Sequence, residues 1–440
     1  TEPMTLSLEY ERTIRQYRLP GLDECFQGEE FVFPHYGGFS IANLPATIAR
    51  LLGVELERGG TQVRLESPIR RDAWGGFAGG AHCVLLVVLD AVGYIQFRRL
   101  LDREDTPFGR LAQGGTLVPL TSVFPSTTMA AISSLWTGRT PGDHGFLGRR
   151  LFLSELGVLA DMIRLMPAVH GRPGELVDWG WVPEDFLPVP ALAQQLSSLG
   201  VQTVTHLYGP HAGGGLSRLF LRGVADVQGF LNHSDMWINV RHTLLQRTNE
   251  PLLVNVYWSG TDDVAHTYGP DSEYFQAALR QMAASLDDNL LGPLPAAARE
   301  GTLLIVTADH GQIATPPRRA VHLSDHPALT DMLFLPPAAE PRASYLYVRP
   351  GQADSVRNYV EDHFAGRFLL LDIDRAVAAG LFGPAELSSE SRNRLGDLLL
   401  LARDGSRLIP VGENAGHRGE HGSLTPEEML VPLLMARLDA

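Results

Sequence analysis

The chain predicts an α/β protein built on a mainly parallel sheet with helices on both faces. Two observations carry that reading. Continuous apolar runs of strand length recur along the chain, and helical patterns separate them. A third observation locates the chemistry: three of the runs end at or just before an aspartate, and open parallel sheets bind ligands beyond the carboxyl ends of their strands.

Taken in order, the clearest strands are VLLVVLD at 84–90, TLVPLTSVF at 116–124, VQTVTHL at 201–207, LLVNVYW at 252–258 and TLLIVTADH at 302–310. PALAQQLSSLG at 190–200 and SEYFQAALRQMAASLDDNLL at 272–291 read as helices. After His310 the texture changes. Residues 313–340 form a Pro-rich loop, ASYLYVRP at 343–350 reads as a strand and DSVRNYVEDHF as a helix. RFLLLDI is a second strand, followed by a polar helical stretch ending in LLLLARDG. The expected organisation is a core of residues 1–312 and 411–440 interrupted by a small α+β insertion at 313–410. EMLVPLLMA at 428–436 resumes the core pattern, whereas the first 75 residues give weak signals.

Composition narrows the function. The chain has 440 residues, a formal charge of −14 and 36 basic residues. Every one of those 36 is arginine. Without lysine there is no P-loop lysine, no Schiff base and no kinase-type strand lysine. Phosphate chemistry would rest on arginine, metal ions or backbone amides. The acidic balance argues against binding to a nucleic-acid duplex. Two cysteines, Cys25 and Cys83, exclude a disulfide framework and a Cys-rich zinc site. The first residues are polar and no apolar run approaches 18 residues, so no membrane association and a cytoplasmic location are expected.

The candidate residues sit at the strand ends. Asp90 closes the 84–90 run, and Asp309 with His310 closes 302–310. Asp262 and Asp263 follow 252–258, with His266 four residues after Asp262. Carboxylates and imidazoles are the ligands that borderline dications prefer. Asp262 and His266 would share a face if their segment is helical. After the 116–124 run comes FPSTTMAAISS, where Thr127 and Thr128 lie at a helix start that favours an anion. Either hydroxyl could be ionised by a metal, and Ser126 or Thr127 could equally cap the helix.

The order Asp90, FPSTT, D-x-x-x-H followed by G-P, T-A-D-H-G and a late H-G resembles the alkaline phosphatase superfamily, within it the type I phosphodiesterase/nucleotide pyrophosphatase family. The motifs span residues 84–433. The resemblance implies an alkaline-phosphatase-like fold, a mixed sheet between helices, with two zinc ions at its edge; manganese is the other candidate. It implies that Asp90, Asp309 and His310 hold one ion, which also contacts the nucleophile Thr128. Asp262, His266 and His421 would hold the second, with His417 as the competitor for the last position. His144 in PGDHG looks structural, and His322 and His326 are expected to be exposed. Family members usually follow the threonine with F-P-N and supply an asparagine amide 21 residues later. Here Met129, Ala130 and Ala131 follow, and Arg149 occupies the asparagine position. A guanidinium there would hold a phosphoryl oxygen and would favour a doubly ionised monoester.

The expected function is hydrolysis of a small-molecule phosphate ester, a diester or nucleotide pyrophosphate, through a phosphothreonine on Thr128. Two dications about 3.5–4 Å apart would clamp the attacking and leaving oxygens. The alternatives are a phosphomonoesterase or a cofactor-independent phosphomutase, whose branch resembles a serine pattern. A non-catalytic metal-binding protein on the same fold is the reading from a different class. Neither ECFQG nor HCVLL resembles the C-x-P-x-R segment that sulfatases modify.

Overall fold

The computed structural model describes residues 2–22, 26, 30–56, 67–103, 105–212, 215–413 and 416–440. Cys25 lies outside the described residues; Cys83 is buried and forms no disulfide. A seven-stranded sheet forms the centre, in the order Thr116–Thr121, Leu430–Arg437, Thr302–Thr307, Cys83–Leu89, Leu252–Trp258, Gln202–Tyr208 and Asp226–Phe230. Cys83–Leu89 is buried at every position and pairs in parallel with Leu252–Trp258 on one side and Thr302–Thr307 on the other. Only a strand covered on both faces can be apolar throughout, which is why these runs are continuous in sequence.

Leu430–Arg437 is the exception in direction. It runs antiparallel between Thr116–Thr121 and Thr302–Thr307. Its amino end therefore lies beside the carboxyl ends of its neighbours, and the segment leading into it, which contains His421, reaches the same edge as Asp90 and Asp309. Asp226–Phe230, an edge strand read as DVQGF, has no continuous apolar run and gave no sequence signal.

Helices cover the sheet. Glu2–Gln16, in the weakly patterned first 75 residues, packs along Thr116–Thr121 and buries Tyr10 and Ile14 completely. Leu192–Ser198 and Glu273–Leu286 take up the two helical patterns, and the second continues as a π turn at Asp287–Leu291. No helix of the described residues is long and apolar enough to cross a membrane.

A second seven-stranded sheet runs Phe368–Asp372, Leu398–Ala402, Ala343–Leu346, Ala338–Ala339, Arg150–Leu153, Val158–Asp161 and Met166–Pro167. The strand Ala343–Leu346, the helix Ala353–Phe364 and the strand Phe368–Asp372 follow the sequence expectation. The LLLLA run does not close a helical stretch; it is the strand Leu398–Ala402. All five of its residues are buried, between Ala343–Leu346 and Phe368–Asp372. A run apolar on both faces suits an inner strand, and a half-exposed helix would leave part of it in water. Ala339 pairs with Arg150, so a cut at 313 and 410 would divide this sheet.

Candidate metal centre and active site

Asp90 follows its strand directly and is 2 % exposed. Thr261 Oγ1 donates to its carbonyl at 2.6 Å, and the Tyr257 hydroxyl donates to its Oδ2. Asp309 and His310 are fully buried. Asp309 Oδ1 accepts from the amides of Ala91 at 3.2 Å and His310 at 2.9 Å. The other oxygens, Asp90 Oδ1 and Asp309 Oδ2, are buried with no hydrogen-bond partner. They lie 3.6 and 3.5 Å from His310 Nε2, too far for good hydrogen bonds. A buried carboxylate oxygen left unpaired is costly, and such atoms signal an absent partner.

The second group assembles on a helix. Asp262 and His266 lie one turn apart in Gly260–Tyr268, with Asp262 Oδ2 3.3 Å from His266 Nε2. Gln312 Nε2 donates to Asp262 Oδ1. His421 Nε2 approaches the same carboxylate at 3.9 Å, and its ring stacks on that of His310 with centroids 3.8 Å apart. Glycines let these segments meet. A Cβ on Gly311 would fall 2.0 Å from the Glu427 carbonyl, and Gly422, with φ +122°, would meet the Glu340 Cβ at 2.8 Å.

The three imidazoles share one arrangement. Nδ1–H donates to the carbonyl of Gly311 in His310 (3.0 Å), of Gly419 in His266 (2.8 Å) and of Ser126 in His421 (2.9 Å). Each bond turns Nδ1 away from the site, so that in the neutral imidazole Nε2 is the nitrogen left with the lone pair. Asp90, Asp309 and His310 thus present donor atoms within 4.8 Å of one another, as do Asp262, His266 and His421. The oxygen and nitrogen donors, the unpaired carboxylate oxygens and the fixed tautomers together fit divalent cations.

Thr128 is the first residue of the helix Thr128–Thr137, and its Oγ1 lies 3.2 Å from His310 Nε2. Neither candidate cap serves that helix. Ser126 Oγ donates to the Ser423 carbonyl, and Thr127 Oγ1 to Glu340 Oε1 at 2.8 Å. A cavity of about 830 Å³ opens from this edge, lined by Asp90, Thr128, Asp262 and Arg149 with apolar walls of Ile132, Trp136 and Phe220. Arg149 does not stand free: Nε and Nη2 bind Asp161 Oδ2 at 3.1 and 2.9 Å. Arg164 also lines the cavity, and its guanidinium has no partner among the described residues.

The electrostatics describe a site short of positive charge. Burial, then the neighbouring Asp309 and Asp262 charges, push Asp90 well above the usual carboxylate range. Asp309 is pushed up to about 6, mainly by burial. Burial lowers His310 to about 4 and His421 to about 3, which keeps both imidazoles neutral and able to ligate. Burial also works against charge on His266, but Asp262 outweighs it and raises this histidine to about 10. A dication in place of that proton would satisfy the same carboxylate.

The sheet edge therefore gathers Asp90, Thr128, Asp262, His266, Asp309, His310 and His421, with Arg149 on the shared cavity. His417 is exposed and adjoins this cluster through His266: their ring centroids are 4.5 Å apart, its Nδ1 lies 3.0 Å from Glu420 Oε1, and His266, His417 and Glu420 form a third group with donor atoms within 4.8 Å of one another. His144 is fully buried between Ser134 and the Phe146 amide. His322 and His326 are half-buried rather than exposed, and His326 packs against Tyr359 and Phe364 in the small core of the second sheet. Sequence reasoning missed Tyr257, Gln312, Asp161 and Glu340. Tyr257 alone carried a signal, as the penultimate residue of a strand already read as leading into the site.

The sequence profile of the type I phosphodiesterase / nucleotide pyrophosphatase family matches residues 84–424. A search of curated protein sequences finds no match. Among solved structures, murine ectonucleotide pyrophosphatase/phosphodiesterase 5 superposes with a TM-score of 0.62 at 17% identity, over 80% of this chain and 87% of that one. An inactive form of the murine protein in complex with AMP gives 0.62 at 16% identity, with the same coverage. Phosphonoacetate hydrolase from Sinorhizobium meliloti 1021, in complex with phosphonoformate, gives 0.60 at 18% identity, over 87% of this chain and 93% of that one. At these identities the likeness establishes a shared fold.

Proposed function

Since the chain belongs to the type I phosphodiesterase / nucleotide pyrophosphatase family, a family of metal-dependent phosphoric ester hydrolases, we propose that it cleaves phosphodiesters or nucleotide pyrophosphates through a phosphothreonine on Thr128. One observation carries the reading. The Thr128 hydroxyl stands at a helix start, 3.2 Å from His310 Nε2, beside two donor groups whose free lone pairs converge. Asp90, Asp309 and His310 would hold one cation together with Thr128, and Asp262, His266 and His421 the other. Zinc suits this mixture of carboxylate and imidazole, and manganese is compatible with it. Two such ions, when bound, would supply a lowered pKa for a nearby hydroxyl and charge stabilisation for the attacking and leaving oxygens.

The residues of the chain do the rest. Thr128 Oγ1 passes its proton to solvent and attacks phosphorus, the P–O bond to the leaving group breaks on the opposite side, and the ester oxygen departs with the bonding pair and takes a proton from solvent. A water oxygen then attacks the phosphothreonine, and Thr128 is released as the alcohol. Amides at the start of Thr128–Thr137 face the transferring group with the positive end of the helix. The cavity, of a size that encloses small ligands, accepts the substituent of the ester.

The environment of Arg149 supports the diester. Asp161 balances its charge, so the position adds little net attraction for the second negative charge of a monoester. Arg164 favours the second reading: an exposed guanidinium on the same cavity would suit a monoester or a pyrophosphate. Zinc- or manganese-loaded protein assayed on aryl monoester, aryl diester and nucleotide diester substrates separates them. Thr128→Ala should lower kcat by at least about 10³-fold. Hydrolysis by that variant at a near wild-type rate would refute the mechanism.

A further inference from the structure

The geometry points to Glu340, from the Pro-rich stretch and distant from Thr128 in sequence, as the positioning residue that sets the orientation of the nucleophile. This inference rests on Thr128 being that nucleophile. Glu340 is 5 % exposed, and its Oε1 accepts two hydrogen bonds of 2.8 Å, one from Thr127 Oγ1 and one from the Arg149 amide. Its stem lies against Gly422, the residue after His421, where a Cβ would come within 2.8 Å. One side chain therefore touches the residue before the nucleophile, the backbone of a cavity arginine and the loop of a proposed metal ligand.

The tie to Thr127 is informative because of what it replaces. Thr127 is the N-cap of the nucleophile helix, where a threonine side chain ordinarily accepts from its own helix amides. Here it makes no such bond and donates outward to Glu340. The rotation of the chain entering Thr128 is thus fixed by the second sheet. Glu340 is itself held firmly. Its carbonyl accepts from Ser344 Oγ at 2.7 Å and from the Ala343 amide at 3.2 Å. Two residues on, the fully buried Arg342 binds Glu428 through Nε and Nη2 at 2.7 and 2.8 Å. Glu428 Oε1 also accepts from the Ser423 amide at 2.9 Å. A positioning group must sit on something rigid to be of use, and this turn is anchored to the core on both sides. Arg149 directs its guanidinium to Asp161, so Glu340 meets that residue through its backbone amide, while their opposite charges still favour each other.

The test uses metal-loaded full-length protein with an aryl diester. Glu340→Ala should lower kcat by about 10- to 100-fold with KM changed less than about threefold, since a small misplacement of a reacting group costs that much. Thr127→Val, which keeps the shape and removes the donor, should give a loss of the same size. Combining the two should add nothing beyond Glu340→Ala alone, because that variant already breaks the Thr127 bond along with the one to the Arg149 amide. Glu340→Gln keeps an acceptor oxygen and should return kcat to within about threefold of wild type. Should Glu340→Ala fail to fold, Thr127→Val and Glu340→Gln still decide the matter. Losses that multiply in the double variant, or a Thr127→Val kcat equal to wild type while Thr128→Ala is inactive, would overturn the role of Glu340 alone. An active Thr128→Ala would overturn the nucleophile and this inference together.

Discussion

Replacing Asp309 by asparagine should stabilise the metal-free protein and destabilise the metal-loaded one. The carboxylate is fully buried and its Oδ2 has no partner. Burial, then the charge of Asp262, push its pKa up to about 6 from the ordinary 3.8, against the Ala91 and His310 amides that pull it down. A carboxyl whose pKa rises on folding contributes stability that is present below pH 3.8 and is lost as pH climbs through about 6. The rise corresponds to about 3 kcal/mol withheld from the metal-free fold at pH 8. Asparagine keeps an oxygen for the two amides and has no charge to desolvate. Unfolding entropy of about 2.1 cal/mol/K per residue makes 3 kcal/mol worth about 3 °C for a chain of this length. Calorimetry of chelator-treated protein should therefore give Asp309→Asn a Tm higher by about 3 °C at pH 8. The gap should close toward pH 4; His310, His421 and His266 are common to both proteins, and Asp90, which the Asp309 charge helps to push up, is relieved in the same direction. Saturating zinc or manganese should reverse the order, because only the wild type presents a carboxylate to the ion. A variant less stable than wild type by the same margin with and without metal would refute the assignment of Asp309 to a metal site.

The remaining predictions concern the second donor group and the support of the first. His421→Ala should lower zinc content to about one ion per chain, measured by elemental analysis, whereas His417→Ala should leave two, since only His421 presents Nε2 to Asp262; the opposite pattern would exchange their roles. Tyr257→Phe removes the hydroxyl that donates to Asp90 Oδ2 and should weaken metal binding by about 10- to 100-fold in a chelator competition. Unchanged affinity would show that Asp90 is oriented by its backbone contacts alone.

The proposed ligands are legible because of where the chain places them. Asp90 and the pair Asp309–His310 end strands that announce themselves as unbroken apolar runs, and a parallel sheet brings such ends to one edge. Asp262 and His266 were legible through their spacing of four, which the helix Gly260–Tyr268 turns into one face. The choice of His421 over His417 rested on the glycine that follows it. The structure gives that glycine its reason, since Gly422 leaves no room for a side chain against Glu340.

What stayed hidden is contact between segments remote in sequence. Glu340 reads as one acid in a Pro-rich loop, Asp161 as the last residue of the short strand Val158–Asp161, and nothing local marks either as a partner of Thr127 or Arg149. Arg149 itself was visible by position, yet its meaning changed once Asp161 was found to balance its charge. Leu398–Ala402 was misread for a related reason: a short apolar run has no intrinsic period, and only its neighbours in the sheet decide that it is a strand. The sequence by itself determined the layered α/β architecture, the absence of lysine and the residues able to bind metal, because burial periodicity and side-chain chemistry are local properties. The tertiary structure alone decided which nitrogen of each histidine stays free, which carboxylate oxygens lack a partner and which segment steers Thr128. Each of those depends on an atom brought from elsewhere in the fold.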